Sequence, residues 1–330
     1  MKETLLCCRI TAQEKGLYRL CHDGVEQAAQ VSGKFQYEAL GPSDYPTVGD
    51  EVLADLNDGG QAVIHKVLPR KSLFLRKAAG TAREEQPVAA NVDILFLCMA
   101  LNNDFNLRRL ERYLAAAWNS GATPVVVLTK ADLCGNPSEK VAAVEEAAPG
   151  TDVLLTSAAQ EDGIRPLLPY LTPGRTVAFV GSSGVGKSTL MNGLLGKKIL
   201  ATGGLRNDDR GRHTTTRRQM FFLPGGAALI DTPGMRELGL WDSESGLETA
   251  FADIEALARQ CRFQDCRHEK EPGCAVRAAL ASGELSEERF RSWQRLSAEN
   301  RYADDRAAHM SAKEKKFRMI AQFNKSNAKR

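Results

Sequence analysis

The chain has no apolar run near the roughly 18–20 residues needed to span a bilayer, so no membrane-spanning helix and no membrane partner are expected. The N-terminal Leu5-Leu6-Cys7-Cys8 is far too short for a signal-peptide core, and for the same reason Cys7 does not read as a lipidation site. The eight cysteines lack the even spacing of a disulfide framework. Five of them, Cys7, Cys8, Cys21, Cys98 and Cys134, read as ordinary thiols. A net charge of +3 is too small to argue by itself for a nucleic-acid partner. These absences together point to a cytoplasmic protein. Nothing in the chain suggests a dimer surface, so a monomer is expected. What is present is ordinary for a globular protein, with 26% charged and 43% hydrophobic residues. Spread over 330 residues, it supports two or three domains.

The most informative stretch is Gly181-Ser182-Ser183-Gly184-Val185-Gly186-Lys187-Ser188-Thr189. It fits the phosphate-loop pattern of Gly, four residues, then Gly-Lys-Ser/Thr. Thr176-Val177-Ala178-Phe179-Val180 before it reads as a buried strand, and Ser188 to Leu195 as the opening of a helix. A strand feeding such a turn into a helix aims several backbone N–H groups, and the positive end of the helix dipole, at one spot. A triphosphate is the expected ligand. Lys187 would serve the β- and γ-phosphates, Ser188 would bind Mg²⁺, and the N–H groups of residues 183–189 would form the cradle. Asp231-Thr232-Pro233-Gly234 follows the apolar run Ala227-Ala228-Leu229-Ile230. There Asp231 can hold Mg²⁺ through water, and Gly234 can offer its N–H to a γ-phosphate. Between the two motifs, Gly211-Arg212-His213-Thr214-Thr215-Thr216-Arg217-Arg218 is polar and poor in apolar residues, and reads as a mobile loop. Thr215 or Thr216 could reach Mg²⁺ from it.

Guanine recognition needs a carboxylate for the base's N1–H and exocyclic amine. The strand-like Pro124-Val125-Val126-Val127-Leu128 runs into Thr129-Lys130-Ala131-Asp132, close to the usual Asn-Lys-x-Asp. Asp132 would take the base edge and the Lys130 stem would cover its face. Thr129 replaces Asn, so one side-chain amide is missing, although a hydroxyl can still tie this loop to the phosphate loop. Downstream, Thr156-Ser157-Ala158 after a strand reads as the loop that supports the base. These base motifs precede the phosphate loop, and Asp231-Thr232-Pro233-Gly234 comes last. That order is the reverse of most GTPases and predicts a circular permutation, which nearby termini permit.

Cys261, Cys266, His268 and Cys274 are spaced Cys-x₄-Cys-x-His-x₅-Cys, whereas residues 135–260 hold no cysteine. Three thiolates and an imidazole close a tetrahedral Zn²⁺ site with no place for water, which marks a structural metal. Helices are expected over Ala275 to Ala281 and Ser286 to Arg295, the second capped by Ser286. A basic helix is expected over residues 308–325, within a stretch from Arg301 to Arg330 that carries nine basic and three acidic residues. It could contact RNA phosphates. At the other end, residues 1–75 show short alternating runs between turn signals, among them Leu17 to Leu20, Gly33 to Tyr37, Val48 to Leu53 and Gln61 to Val67. They suggest a small closed β-barrel of OB type, a fold that often binds RNA. Lys66, Arg70, Lys71, Arg76 and Lys77 add positive charge near its exit, and Ala79 to Pro87 reads as a linker. The expected domains are a barrel over 1–78, a permuted α/β GTPase domain over 79–245 and a helical zinc-binding domain with a basic tail over 246–330.

On these motifs the whole chain resembles the ribosome small-subunit-dependent GTPase A family, a group of circularly permuted bacterial GTPases. The resemblance implies binding to the small ribosomal subunit and its rRNA late in maturation, GTP hydrolysis stimulated there, and release afterwards. Met235 stands where Ras-like proteins carry the Gln that orients the attacking water, and a thioether cannot do that. His213 is the best local substitute, and the resemblance supports it. Some relatives place Asn where Gly184 stands to help bind potassium, so no potassium dependence is expected. Three rival readings stay open at this point. One is a phosphate-loop kinase or ATPase, which leaves Asp132 without a role. Another is an RNA-binding module that uses nucleotide only as a structural ligand. The third is a regulator acting on another RNA or on a protein partner.

Overall fold

The computed structural model describes residues 5–14, 16–57, 60–77, 85–200, 218–231, 244–298 and 301. His213, Thr215, Thr216, Gly234, Met235 and the basic helix expected at 308–325 lie outside the described residues. The chain divides into two compact units, residues 1–239 and 240–330.

The first unit begins with five strands, β1 (Leu6–Glu14), β2 (Leu17–His22), β3 (Val25–Val31), β4 (Glu51–Asp55) and β5 (Ala62–Val67). They close into a barrel. β1 pairs antiparallel with both β2 and β4, β2 pairs with β3, and β5 joins β3 in parallel and β4 in antiparallel fashion. Alternate residues turn inward, so that Ile10, Leu20, Val52 and Ile64 fill the interior. Helix α1 (Gly33–Glu38) replaces the strand-like run expected at Gly33 to Tyr37. The Phe35 N–H donates to Ser32 Oγ at 3.1 Å, and this N-cap favours the helix over an extended run. Strands β6 (Leu73–Lys77) and β7 (Glu85–Ala90) form a separate hairpin sheet. Glu85 to Pro87, read above as linker, therefore belong to a paired strand.

An α/β layer follows: β8 (Ile94–Ala100), α2 (Leu107–Ser120), β9 (Thr123–Thr129), α3 (Pro137–Ala147), β10 (Val153–Leu155), β11 (Thr176–Val180), α4 (Lys187–Leu195), β12 (Arg218–Phe222) and β13 (Ala228–Asp231). The sheet order is β10-β9-β8-β11-β13-β12, all parallel except β12. Every residue of β8 and β11 is buried, as expected of apolar runs in a parallel sheet covered on both faces. Phe96 and Phe179 meet edge to face at 5.1 Å in that core.

Barrel and α/β layer share one continuous sheet. β12 pairs with β13 on one side and with barrel strand β1 on the other, and Gln219 stands opposite both Ala12 and Asp231. Polar groups bind the seam: Arg9 donates to Thr176 Oγ1 at 2.7 Å and Asn91 donates to the Gly49 carbonyl at 3.1 Å. Buried Arg218 ties β12 to the β6–β7 hairpin by donating to the Pro87 carbonyl. Gly49 adopts φ +93, and a Cβ there would lie 2.1 Å from the Ala90 carbonyl oxygen, so only glycine allows the approach. Arg70, read above as positive charge near the barrel's exit, makes a two-pronged ion pair with fully buried Asp50.

In the second unit, α5 (Glu244–Ala250), α6 (Ala252–Ala258), α7 (Ala275–Ser282) and a helical stretch over residues 287–298 pack around Phe251, Ile254, Val276 and Phe290. Ser286 caps the last of these by accepting the Arg289 N–H at 3.2 Å. Arg289 makes a two-pronged pair with Asp253, at 2.7 and 2.8 Å, and lies over the Phe251 ring.

Candidate nucleotide pocket and cysteine–histidine centre

The phosphate-loop motif follows β11 and enters α4 at Lys187. Three of its glycines take positive φ, Gly181 at +153, Gly184 at +73 and Gly186 at +105. A Cβ at Gly181 would sit 2.4 Å from the Cys98 carbonyl oxygen, so a side chain there would push the loop off β8. Lys187 Nζ donates to the carbonyls of Gly181 and Ser182, each at 2.7 Å. Asp231, at the end of the neighbouring β13, has a carboxyl raised above the ordinary range by burial, with the Lys187 charge pulling it partly back. The two groups therefore feel one another across adjacent strand ends, where a magnesium-bound phosphate is held in this kind of fold. Burial also pushes the Cys98 thiol up to about 12, which makes it an inert packing group.

The base-recognition motif reaches the same edge from β9. Thr129 is buried, and its hydroxyl donates to the Val185 carbonyl at 2.6 Å. The substitution of Thr for Asn thus keeps the tie between the two loops. Lys130 takes φ +57, which turns the chain sharply into Ala131 and Asp132. The Ala131 N–H donates to the Thr156 carbonyl at 3.1 Å, and the buried Ser157 hydroxyl donates to Asp132. Residues 129–132 and 156–158 are thereby assembled into one ledge, with Asp132 and Ala158 exposed on it. The strand ends that carry these loops are the carboxyl ends of a parallel sheet, where ligands of open α/β folds bind.

Sequence reasoning missed two groups here. Asp104, in the loop after β8, accepts the Ser182 hydroxyl and pairs with Arg109 at 2.9 Å. No local motif marks either residue. The available signal was position alone, because β8 lies between β9 and β11 and its following loop must fall between the two motif loops.

The Cys–His spacing also closes in space. One donor atom from each of Cys261, Cys266, His268 and Cys274 lies within 4.8 Å of all the others. His268 Nδ1 is 3.6 Å from Cys261 Sγ and 3.4 Å from Cys274 Sγ, and the two sulfurs are 3.8 Å apart. A tetrahedron with Zn–S bonds near 2.3 Å has S···S edges of about 3.8 Å, so the donor set fits zinc and leaves no open position. Burial raises the Cys261 thiol, but the backbone N–H groups of Val276 and Ala275 at the start of α7, together with hydrogen bonds from Cys274 and Cys266, lower it overall, favouring the thiolate a metal needs. The turn that presents His268 holds φ +60 there. Glu271 stabilises it by accepting N–H bonds from Arg267, Glu269 and Lys270 at 2.8 to 3.1 Å, and these with its own N–H hold its carboxyl down to about 2.

No helix among the described residues is long and apolar enough to cross a membrane. A family model described as RsgA GTPase matches residues 67–241. A second, described as ABC transporter, matches residues 166–329, a stretch that contains the phosphate loop common to both groups. A Lactiplantibacillus plantarum protein named small ribosomal subunit biogenesis GTPase RsgA 2 is 50% identical over 295 residues, covering 89% of this chain and 83% of its own length. The crystal structure of YjeQ from Thermotoga maritima matches with a TM-score of 0.66 and 27% identity, over 89% of this chain and 97% of that one. The structure of YloQ, described as a circularly permuted GTPase, shares the fold at a TM-score of 0.63 and 23% identity, over 92% of this chain and 96% of that one. The permuted strand order, the five-stranded barrel before it and a relative this similar across nearly the whole chain agree: the chain is a GTPase and belongs to the RsgA GTPase family.

Proposed function

We propose that this GTPase acts in biogenesis of the small ribosomal subunit, binding the subunit and its rRNA with GTP bound and leaving after a hydrolysis the subunit stimulates. The observation that carries the reading is the bond from Thr129 to the Val185 carbonyl, which joins a guanine-recognition loop to a phosphate loop in permuted order. The names of the relatives supply the partner. In this reading residues 1–78 are an RNA-binding barrel, 79–245 the GTPase and 246–330 a zinc-stabilised helical domain with a basic tail, working as a monomer in the cytoplasm.

The roles follow from chemistry. Asp132 takes the guanine edge, Lys130 covers its face, and Ala131, Ser157 and Ala158 support it. The N–H groups of Ser183, Gly184, Val185, Gly186, Lys187, Ser188 and Thr189 cradle the phosphates, with Gly181 and Ser182 setting the loop. Lys187 neutralises the β- and γ-phosphates, and Ser188 ligates Mg²⁺ with Thr215 or Thr216. Asp231 holds that ion through water, and Gly234 senses the γ-phosphate. His213 orients the attacking water. Zinc, held by Cys261, Cys266, His268 and Cys274, supplies folding energy.

Co-sedimentation with separated ribosomal subunits tests the reading, using GDP and a non-hydrolysable GTP analogue. Binding to the small subunit with the analogue and loss of it with GDP is expected. Equal binding in both states, or turnover indifferent to the subunit, overturns the cycle. His213→Ala should abolish stimulated turnover and leave GTP binding intact; lost binding would make His213 structural instead.

A further inference from the structure

Asp104 sits in the short connection between β8 and α2, and that connection is itself firmly built. The Leu101 N–H donates to the Thr129 carbonyl at 2.9 Å, the Asp104 N–H to Asn102 Oδ1 at 3.0 Å, and Asn106 caps α2 by accepting the Arg109 N–H at 3.0 Å. Lys140 of α3 lies over the Phe105 ring at 4.7 Å. From this support the Asp104 carboxylate accepts the Ser182 hydroxyl, and Arg109 both donates to the Asp104 carbonyl and pairs with its carboxylate. The phosphate loop is thus tethered by side chains near both ends, to Asp104 through Ser182 and to Thr129 through Val185. Lys187 also holds Ser182, but by its carbonyl. Lys187 is the group that must turn to the phosphates, so a loop held by Lys187 alone would loosen on doing its task.

We propose that Asp104 is a positioning residue of the phosphate loop, oriented and neutralised by Arg109, that fixes Ser182 and so slows the release of guanine nucleotide. The proposal rests on residues 181–189 being the phosphate cradle. A carboxylate beside polyphosphate is electrostatically costly unless it is paired. Arg109 removes that cost, and the charge-assisted bond to the Ser182 hydroxyl remains.

The test is stopped-flow release of a fluorescent GDP and of a fluorescent non-hydrolysable GTP analogue, from wild type, Asp104→Ala, Ser182→Ala and the double variant. A hydrogen bond to a charged group corresponds to about tenfold or more in an equilibrium constant, so each single variant should release nucleotide about tenfold faster. The double variant should be no faster than either single one, because both remove the same bond. Asp104→Asn keeps an acceptor and should fall between. Arg109→Ala should weaken the triphosphate analogue more than GDP. Single-turnover hydrolysis of the bound nucleotide should change less than release. Additive effects, or release unchanged while thermal unfolding of the nucleotide-free variants shifts, would overturn the proposal and leave Asp104 a purely structural role. If wild type itself retained no guanine nucleotide, the nucleotide reading would fall and this one with it.

Discussion

The phosphate loop and the turn around His268 are both short, glycine-containing segments that present ligand atoms, but they are held in opposite ways. The phosphate loop is shaped from outside. Buried strands β8 and β11 fix its base, and Asp104 and Thr129 reach in from neighbouring loops. The His268 turn is shaped from within, by Glu271 four residues or fewer from each N–H it accepts and by four donors converging on one point. A site on a large sheet can be preorganised by packing, whereas a small helical unit gains from a metal what its core does not supply.

Removing the zinc proposed for the Cys261–Cys274 cluster should therefore break the contrast most visibly. Structural zinc contributes about 10–16 kcal/mol to folding in zinc-finger peptides. A strong chelator, or Cys274→Ala, should abolish amide-exchange protection in α6 and α7 while β8 and β11 keep theirs. Equal loss in both units would erase the distinction. Next in size, Lys187→Ala should lower GTP turnover by about a hundredfold or more, the range seen when one donor to developing transition-state charge is lost. Circular dichroism of the variant should be unchanged.

A smaller effect tests the external tethers. Thr129→Val leaves the buried Val185 carbonyl without its donor and should weaken guanine-nucleotide binding about tenfold in a competition assay. Thr129→Asn restores a side-chain donor and should recover most of it. The smallest effect sharpens the other side. Burial pushes the Asp253 carboxyl up, but the two bonds and the charge of Arg289 bring it below the ordinary range. A carboxyl depressed in the folded state adds stability above its unfolded value of about 3.9, and that stability is lost as pH falls through the folded value. Asp253→Asn should therefore lower the thermal midpoint of the second unit at neutral pH and flatten part of its decline below about pH 4.

The legible parts of this molecule were those whose chemistry fixes residue type at fixed spacing. Gly181 to Thr189 and the Cys261 to Cys274 cluster could be read because backbone approach to a phosphate, and tetrahedral ligation, tolerate few alternatives. Strands β8, β9 and β11 could be read because burial on both faces leaves only apolar runs. Other elements hid for physical reasons. Gly33 to Glu38 has no clear helical stripe, and the capping Ser32 was the clue that it helps a helix begin. Glu85 to Pro87 are polar or small, so a strand held by partner β6 looked like linker. Arg70 looked like surface charge because its partner Asp50 lies twenty residues away, and Asp104 looked like loop because Ser182 is distant in sequence.

The shared rungs at Gln219 have a practical consequence. At Arg218 and Gln219, β12 pairs on its outer side with a barrel strand. A shortened version of the protein that omitted the barrel would leave β12 as a bare outer strand, with backbone groups ready to recruit another molecule. Anyone trimming this enzyme to a minimal GTPase should meet precipitation before any loss of catalysis, and the remedy would be to cap that flank rather than to adjust the active site.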